Sequence, residues 1–193
     1  SDGKKMAFIS RGELFVSDIK GKFPKQLKTA ADGRVLEVAW LKDNKTLIFN
    51  QTVGGYQNWF TIDASGKIGE KQLTTDNQNN RNLSLNSDQT KADYLSGRNE
   101  VRLMDLEYFE STLLLEDELW GFYNALPTWA PDDKHLAFNV YRNFEQEIIV
   151  YNIEKKQKTN LTNTGVSEAG PFWSPDGKYL YFHANPFKPS YPY

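Results

Sequence analysis

The sequence predicts an all-β fold, a β-propeller of four-stranded antiparallel blades, and three observations predict it. One phrase recurs down the chain with its turn aspartate at Asp2, Asp43, Asp88, Asp132 and Asp176, at intervals of 41, 45, 44 and 44 residues. A tryptophan stands three residues before that aspartate in three of the five copies (Trp40, Trp129 and Trp173), with Leu85 in its place in one other. Each period also divides into four short apolar or alternating runs, and no longer window carries the 3.6-residue apolar rhythm of a helix. Four antiparallel strands per period of this length define a propeller blade.

The elements follow in order within each period. The first strand runs into the turn, as in "VLEVAWL" (35–41), "NLSLN" (82–86), "PTWA" (127–130) and "PFWS" (171–174). The turn has its clearest form in "SPDG" (174–177), where proline fixes φ, the aspartate caps its own turn and glycine accepts a positive φ. The second strand leaves the turn: "MAFIS" (6–10), "TLIFNQ" (46–51), "ADYLS" (92–96), "LAFNV" (136–140) and "LYFHA" (180–184). The third alternates and ends on Asp or Asn or close beside one, as in "ELFVSDI" (13–19), "NWFTID" (58–63), "VRLMDL" (101–106) and "EIIVYNI" (147–153). The fourth is short and more polar: "KQLK" (25–28), "KQLT" (71–74), "STLLL" (111–115) and "TNLT" (159–162). The blade tryptophan is expected to fill the wedge between neighbouring sheets, and the turn aspartates to be caps rather than catalytic carboxylates.

The blade segments are expected near residues 1–29, 35–75, 82–116, 127–163 and 171–193, the first and last incomplete. Residues 1–193 therefore read as a partial propeller of about four blades, cut from a ring of six or seven.

Composition removes several classes of function. With 23 Lys+Arg against 25 Asp+Glu, the net charge of −2 offers no electrostatic footprint for nucleic acid. No apolar run approaches the ~20 residues that span a bilayer as a helix. The absence of cysteine removes a disulfide scaffold, a thiolate metal site and a thiol nucleophile. Aromatic residues are plentiful, at Phe 12, Tyr 10 and Trp 5, which favours strands.

The motifs for common chemistries are also missing. There is no G-x-S-x-G elbow, H-E-x-x-H or phosphate-binding glycine loop. His135 and His183 occupy different places in their repeats and read as exposed strand residues. Sequons, those at Asn50, Asn82 and Asn160 among them, matter only in a eukaryotic secretory context. No cofactor and no metal site is expected.

The phrases "WSPDGKYLYF", "WAPDDKHLAF" and "DGKKMAFISRGELFVSDIKG" resemble the WD40-like repeats of TolB-type propellers. The chain is also similar to the propeller part of bacterial tricorn-protease homologues. That similarity is carried by "ISRGELFVSDIKGKFPKQL" (9–27), "NQTVGGYQNWFTI" (50–62), "LSGRNEVRLMDL" (95–106), "NLTNTGVSEAGPFWSPDGKYLYF" (160–182) and "KPSYPY" (188–193). The resemblance implies a non-catalytic propeller that gates or steers unfolded peptide towards a Ser/His domain elsewhere in a parent peptidase. Its partners would be peptides or unfolded segments and the downstream protease domains, with no nucleic acid and no membrane insertion. By analogy it implies a periplasmic or cell-envelope location. The alternatives are a TolB-like protein-interaction scaffold and the propeller cap of a prolyl-oligopeptidase-like hydrolase.

Propellers bind ligands on the face made by the loops joining strands two to three and four to one. Arg11, Arg98 and Arg142 take near-equivalent places in the first set of loops. Arg34, Arg81 and the aromatic stretch "EDELWGFYNALP" (116–127), with Trp120, Phe122 and Tyr123, lie in the second. Guanidinium forks suit carboxylates, including peptide C-termini, and the aromatics suit peptide side chains. The plainer alternative is that the arginines solvate loops or bridge blades through Glu13, Glu100 and Glu145, and that the aromatic stretch packs against an adjacent domain.

Overall fold

A computed structural model describes residues 3–30, 32–119, 126–142 and 144–185. Among the described residues seventeen strands form five antiparallel sheets, and there is no helix. The first sheet has the order β1 (Lys5–Ser10), β2 (Glu13–Asp18), β3 (Lys25–Leu27), and the second β4 (Val35–Trp40), β5 (Thr46–Val53), β6 (Tyr56–Asp63), β7 (Lys71–Gln72). The third comprises β8 (Asn80–Leu85), β9 (Lys91–Ser96), β10 (Glu100–Asp105) and β11 (Ser111–Glu116). The fourth holds β12 (Thr128–Trp129), β13 (His135–Arg142), β14 (Glu145–Asn152) and β15 (Gln157–Asn160), and the fifth pairs β16 (Ser167–Trp173) with β17 (Leu180–Asn185). Each full sheet meanders in chain order, which is the arrangement of a propeller blade.

The chain divides into two compact units. One comprises residues up to Leu83 with Tyr108–Ser111, and the other Ser84–Glu107 with the rest from Thr112 onward. The first unit is built on the period-2 pattern of β2, β5 and β6. Leu14, Val16, Leu47, Phe49, Phe60 and Ile62 are all buried on one core, with Leu27, Val35 and Ala64 and with Trp40 packed against it. Phe49 pairs with Phe60 across β5 and β6, their rings stacked 5.6 Å apart. Each such fully buried apolar side chain contributes about 1.5–3 kcal/mol relative to exposure. A bulge between Val35 and Glu37 accompanies a long reach by the Glu37 carboxylate, which accepts from the backbone N–H of Asn82 at 2.8 Å and of Leu83 at 3.2 Å.

The second unit has its own core of Leu95, Val101, Leu119, Leu136, Phe138, Val140, Ile149 and Tyr151. Trp129 packs on this core and donates its indole N–H to the Ser84 carbonyl at 3.2 Å. Trp173 repeats the move on Thr128 at 3.3 Å, and both bonds span 45 residues. The blade tryptophan is thus filler and fastener together, since each indole ties one sheet to the preceding one.

The turn aspartates act as caps. Asp43 Oδ1 accepts from Lys45 and Thr46 N–H at 2.9 and 2.8 Å, Asp88 Oδ1 from Thr90 N–H at 2.9 Å, and Asp132 Oδ1 from Lys134 N–H at 2.9 Å. The next residue takes a left-handed φ in each turn: Asn44 at 55°, Gln89 at 55°, Asp133 at 54° and Gly177 at 70°. Glycine alone adopts this conformation without steric cost.

Candidate functional site

Two of the expected arginines come together in the first unit. Arg11 sits in the β1–β2 turn with φ 54°, followed by Gly12 at φ 85°. The Arg34 side chain lies across this turn: a Cβ on Gly12 would stand 3.1 Å from Arg34 Nε and 3.3 Å from its Cβ. The backbone holds that approach, because Val35 N–H donates to Gly12 O at 2.8 Å and Arg34 N–H to Thr52 Oγ1 at 2.9 Å. Both arginines are exposed. Glu13, offered by the sequence as a possible partner, accepts instead from Gln26 Nε2 at 2.9 Å.

Arg81 is half-buried at the start of β8, with Nη1 donating to Asn79 O at 3.3 Å. Burial pulls its pKa below the ordinary arginine value, and the charge of Glu37 opposes that pull. Close by is a buried amide network that the sequence reading missed. Asn58 Oδ1 accepts from Thr74 Oγ1 at 2.9 Å and Asp76 N–H at 3.2 Å; Asn80 Nδ2 donates to Asp76 Oδ2 at 3.0 Å. Asn50 Nδ2 donates to Asn80 O, with Asn50 fully buried. These residues lie at the β5–β6 and β7–β8 loop end and hold the strand ends in place. Buried Asn50 also removes any meaning from its sequon in the folded chain.

In the second unit, Arg98 is exposed in the turn between β9 and β10. Arg142, at the end of β13, is committed elsewhere: its Nη2 lies 2.7 and 2.8 Å from the two oxygens of Asp117. Lys158 Nζ reaches the same carboxylate at 2.6 Å, and the Asp117 side chain is 5% exposed. Burial alone would raise the Asp117 pKa, but the hydrogen bonds from Lys158, Arg142 and Glu118 N–H outweigh it and hold the value down. Asp117 in turn raises the Arg142 pKa. Charge-assisted bonds of this kind contribute about 1.5–3 kcal/mol. The sequence offered Glu145 as a partner for Arg142. The partner is Asp117, because the chain after β11 is drawn in by Asp117 N–H to Asn99 O at 2.9 Å and Tyr141 N–H to Glu118 O at 3.0 Å. Glu100 is likewise taken by Arg102 on its own strand, Nε to Oε2 at 2.8 Å.

Trp120, Phe122 and Tyr123 lie outside the described residues. The clamp on Asp117 and the burial of Leu119 fix the chain just ahead of them. The histidines differ from expectation in one case. His183 is exposed, whereas His135 has Nδ1 2.8 Å from Asp132 Oδ2 and Nε2 2.8 Å from Asn152 Nδ2. Among the described residues, no three His, Asp or Glu side chains converge as metal ligands would.

Meandering sheets, indole fasteners and capped turns define a β-propeller fold, and solved structures share it. The crystal structure of the tricorn protease superposes with a TM-score of 0.77 at 18% identity, over 95% of this chain and 18% of that one. TolB from Acinetobacter baumannii gives 0.66 at 21% identity, over 94% of this chain and 47% of the other. An oligogalacturonate lyase in complex with manganese gives 0.67 at 20% identity, over 95% and 56%. The chain thus spans less than two thirds of each of these proteins. No family model and no curated protein sequence matches it.

Proposed function

We propose that the chain is a peptide-binding or substrate-gating propeller without catalytic chemistry of its own, serving a tricorn-like serine protease whose Ser/His domain lies in a parent protein. The observation that carries the reading is the Arg11–Gly12–Arg34 arrangement. Two exposed guanidinium-bearing residues meet at one turn, on the loop end where propellers take ligands. A carboxylate, such as a peptide C-terminus, is the complementary group. The repeat phrases shared with tricorn-protease homologues, and the shared fold, support the parentage. The same analogy supports a periplasmic or cell-envelope location and protein segments as partners.

The test is a fluorescence-polarisation titration with a labelled, unstructured peptide ending in a free carboxylate. Arg11→Ala with Arg34→Ala should weaken binding at least about tenfold, the loss of roughly 1.4 kcal/mol in charge-assisted contact. Equal affinity for wild type and the double variant would remove this turn from the reading. A TolB-like scaffold would instead retain a folded partner protein and ignore short peptides.

A further inference from the structure

We propose that the cleft between the fourth and fifth sheets is a second binding site, one for the guanidinium or ammonium group of a basic peptide side chain. The cleft lies within the second unit and measures about 460 Å³, within the ~300–1,000 Å³ of ordinary ligand pockets. Its walls are Pro131, Val150 and the Trp173 indole, and its polar groups are Asp132, His135 and Asp176. An aromatic wall with two carboxylates and no buried cation is complementary to a cation carried on an apolar stem.

The repeat explains why a cleft exists here. At the joint between the third and fourth sheets, Asp133 bridges the two turns: its carboxylate takes Ser87 N–H at 2.9 Å and Ser87 Oγ–H at 2.5 Å. One period later these positions are held by Gly177 and Pro131. Glycine has no carboxylate to offer and proline has no N–H to donate. The two residues merely face one another, with a Cβ on Gly177 falling 3.6 Å from Pro131 Cδ. The latch is missing here, and the cleft lies beside the unlatched turns.

The site presents two carboxylates, Asp132 and Asp176. His135 is held at both ring nitrogens, with Nδ1 2.8 Å from Asp132 Oδ2 and Nε2 2.8 Å from Asn152 Nδ2. Lys134 is turned onto Glu154 Oε1 at 3.1 Å. Asp176 uses Oδ1 for Ser174 Oγ at 2.6 Å and Lys178 N–H at 3.1 Å. Its Oδ2 has the Lys178 ammonium only at 3.6 Å, on a side chain 73% exposed. Such a pair is weak and exchangeable, so Asp176 Oδ2 is the natural seat for an incoming cation. The bonds from Ser174 and Lys178 hold Asp176 below its ordinary pKa, and backbone and His135 bonds outweigh burial to do the same for Asp132.

The experiment is an NMR titration of the whole chain, following the Trp173 indole N–H and the Gly177 amide. The probes are N-acetyl-arginine amide, N-acetyl-lysine amide and, as the uncharged control, N-acetyl-glutamine amide. The two basic probes should produce saturable shifts at these signals and the glutamine probe none. Asp176→Asn keeps a cap oxygen yet should weaken the basic probes at least about fivefold. Pro131→Ser with Gly177→Asp, which rebuilds the latch, should abolish the response. The Arg11→Ala/Arg34→Ala variant should keep it, so this site and the carboxylate site fail separately. Equal shifts with the glutamine probe, no shifts at all, or an unchanged response in Asp176→Asn would each overturn the proposal.

Discussion

The two sheet-to-sheet joints of the second unit share a design and differ in the bonds that cross them. Both place a tryptophan N–H on the carbonyl of the preceding sheet, through Trp129 on Ser84 and Trp173 on Thr128. Only the first adds the Asp133–Ser87 latch and, further along the same two sheets, the Asp117 clamp of Arg142 and Lys158. The second has Pro131 and Gly177 and a cleft. Asp133 and Ser87 give the first joint this extra pair of bonds, which Gly177 and Pro131 have no groups to form.

The largest expected effect comes from removing the clamp. Asp117→Ala leaves two cations without their buried carboxylate and should lower stability by about 3 kcal/mol in urea unfolding. Because Asp117 titrates below the ordinary carboxylate value in the folded state, its contribution is full above that ordinary value. It is lost as pH falls through the depressed one. Wild type should therefore soften in acid more than Asp117→Ala does, and parallel pH profiles would break the claim that the clamp is ionic.

Asp93 is a buried carboxylate with the opposite pH behaviour. It is fully buried on β9, where the equivalent positions hold Ile48 and Ala137, and neither carboxylate oxygen has a hydrogen-bond partner among the described residues. Burial pushes its pKa well up; the Trp129 indole, committed to Ser84, offsets this only in part. With the folded value raised, its stabilising share is full below the ordinary carboxylate range and declines as pH rises through the raised value. Asp93→Asn should therefore flatten the profile on that side and gain about 1–3 kcal/mol near neutrality. An unchanged slope would mean that Asp93 is solvated.

The latch itself can be transplanted. Gly177→Asp alone should cost about 1 kcal/mol at its positive φ, and adding Pro131→Ser should recover it, a coupling of about 1 kcal/mol in a double-mutant cycle. Additive effects would deny that Asp133 and Ser87 form a latch at all. The smallest effect is expected from Gln89→Gly, which relieves φ 55° in the third sheet's turn for a gain of about 0.5 kcal/mol.

The fold was legible because its signals are local. The aspartate caps, the residues after them and the alternation of β2, β5 and β13 all act within a few residues of sequence. The tryptophans were legible as filler, yet not as donors, since a bond 45 residues long leaves no mark in its own neighbourhood. The rim was only half readable. Arg11 and Arg34 meet because β4 returns beside the β1–β2 turn, which the period implies. The Arg142–Asp117 pair is not legible in the sequence because Asp117 lies in an irregular stretch outside the repeat. The buried amides were missed because Asn58, Thr74 and Asn80 look like turn residues until the loop ends are brought together. The latch substitutions were visible as letters, but their meaning needed the turns to be placed face to face.

The measurement that bears most directly on peptide recognition is a titration of the wild-type chain with one unstructured peptide in two forms, free acid and C-terminal amide. The acid should bind saturably, more weakly as salt rises, and the amide should bind at least about tenfold more weakly. Equal affinity for the two forms, or no binding of either, would contradict it.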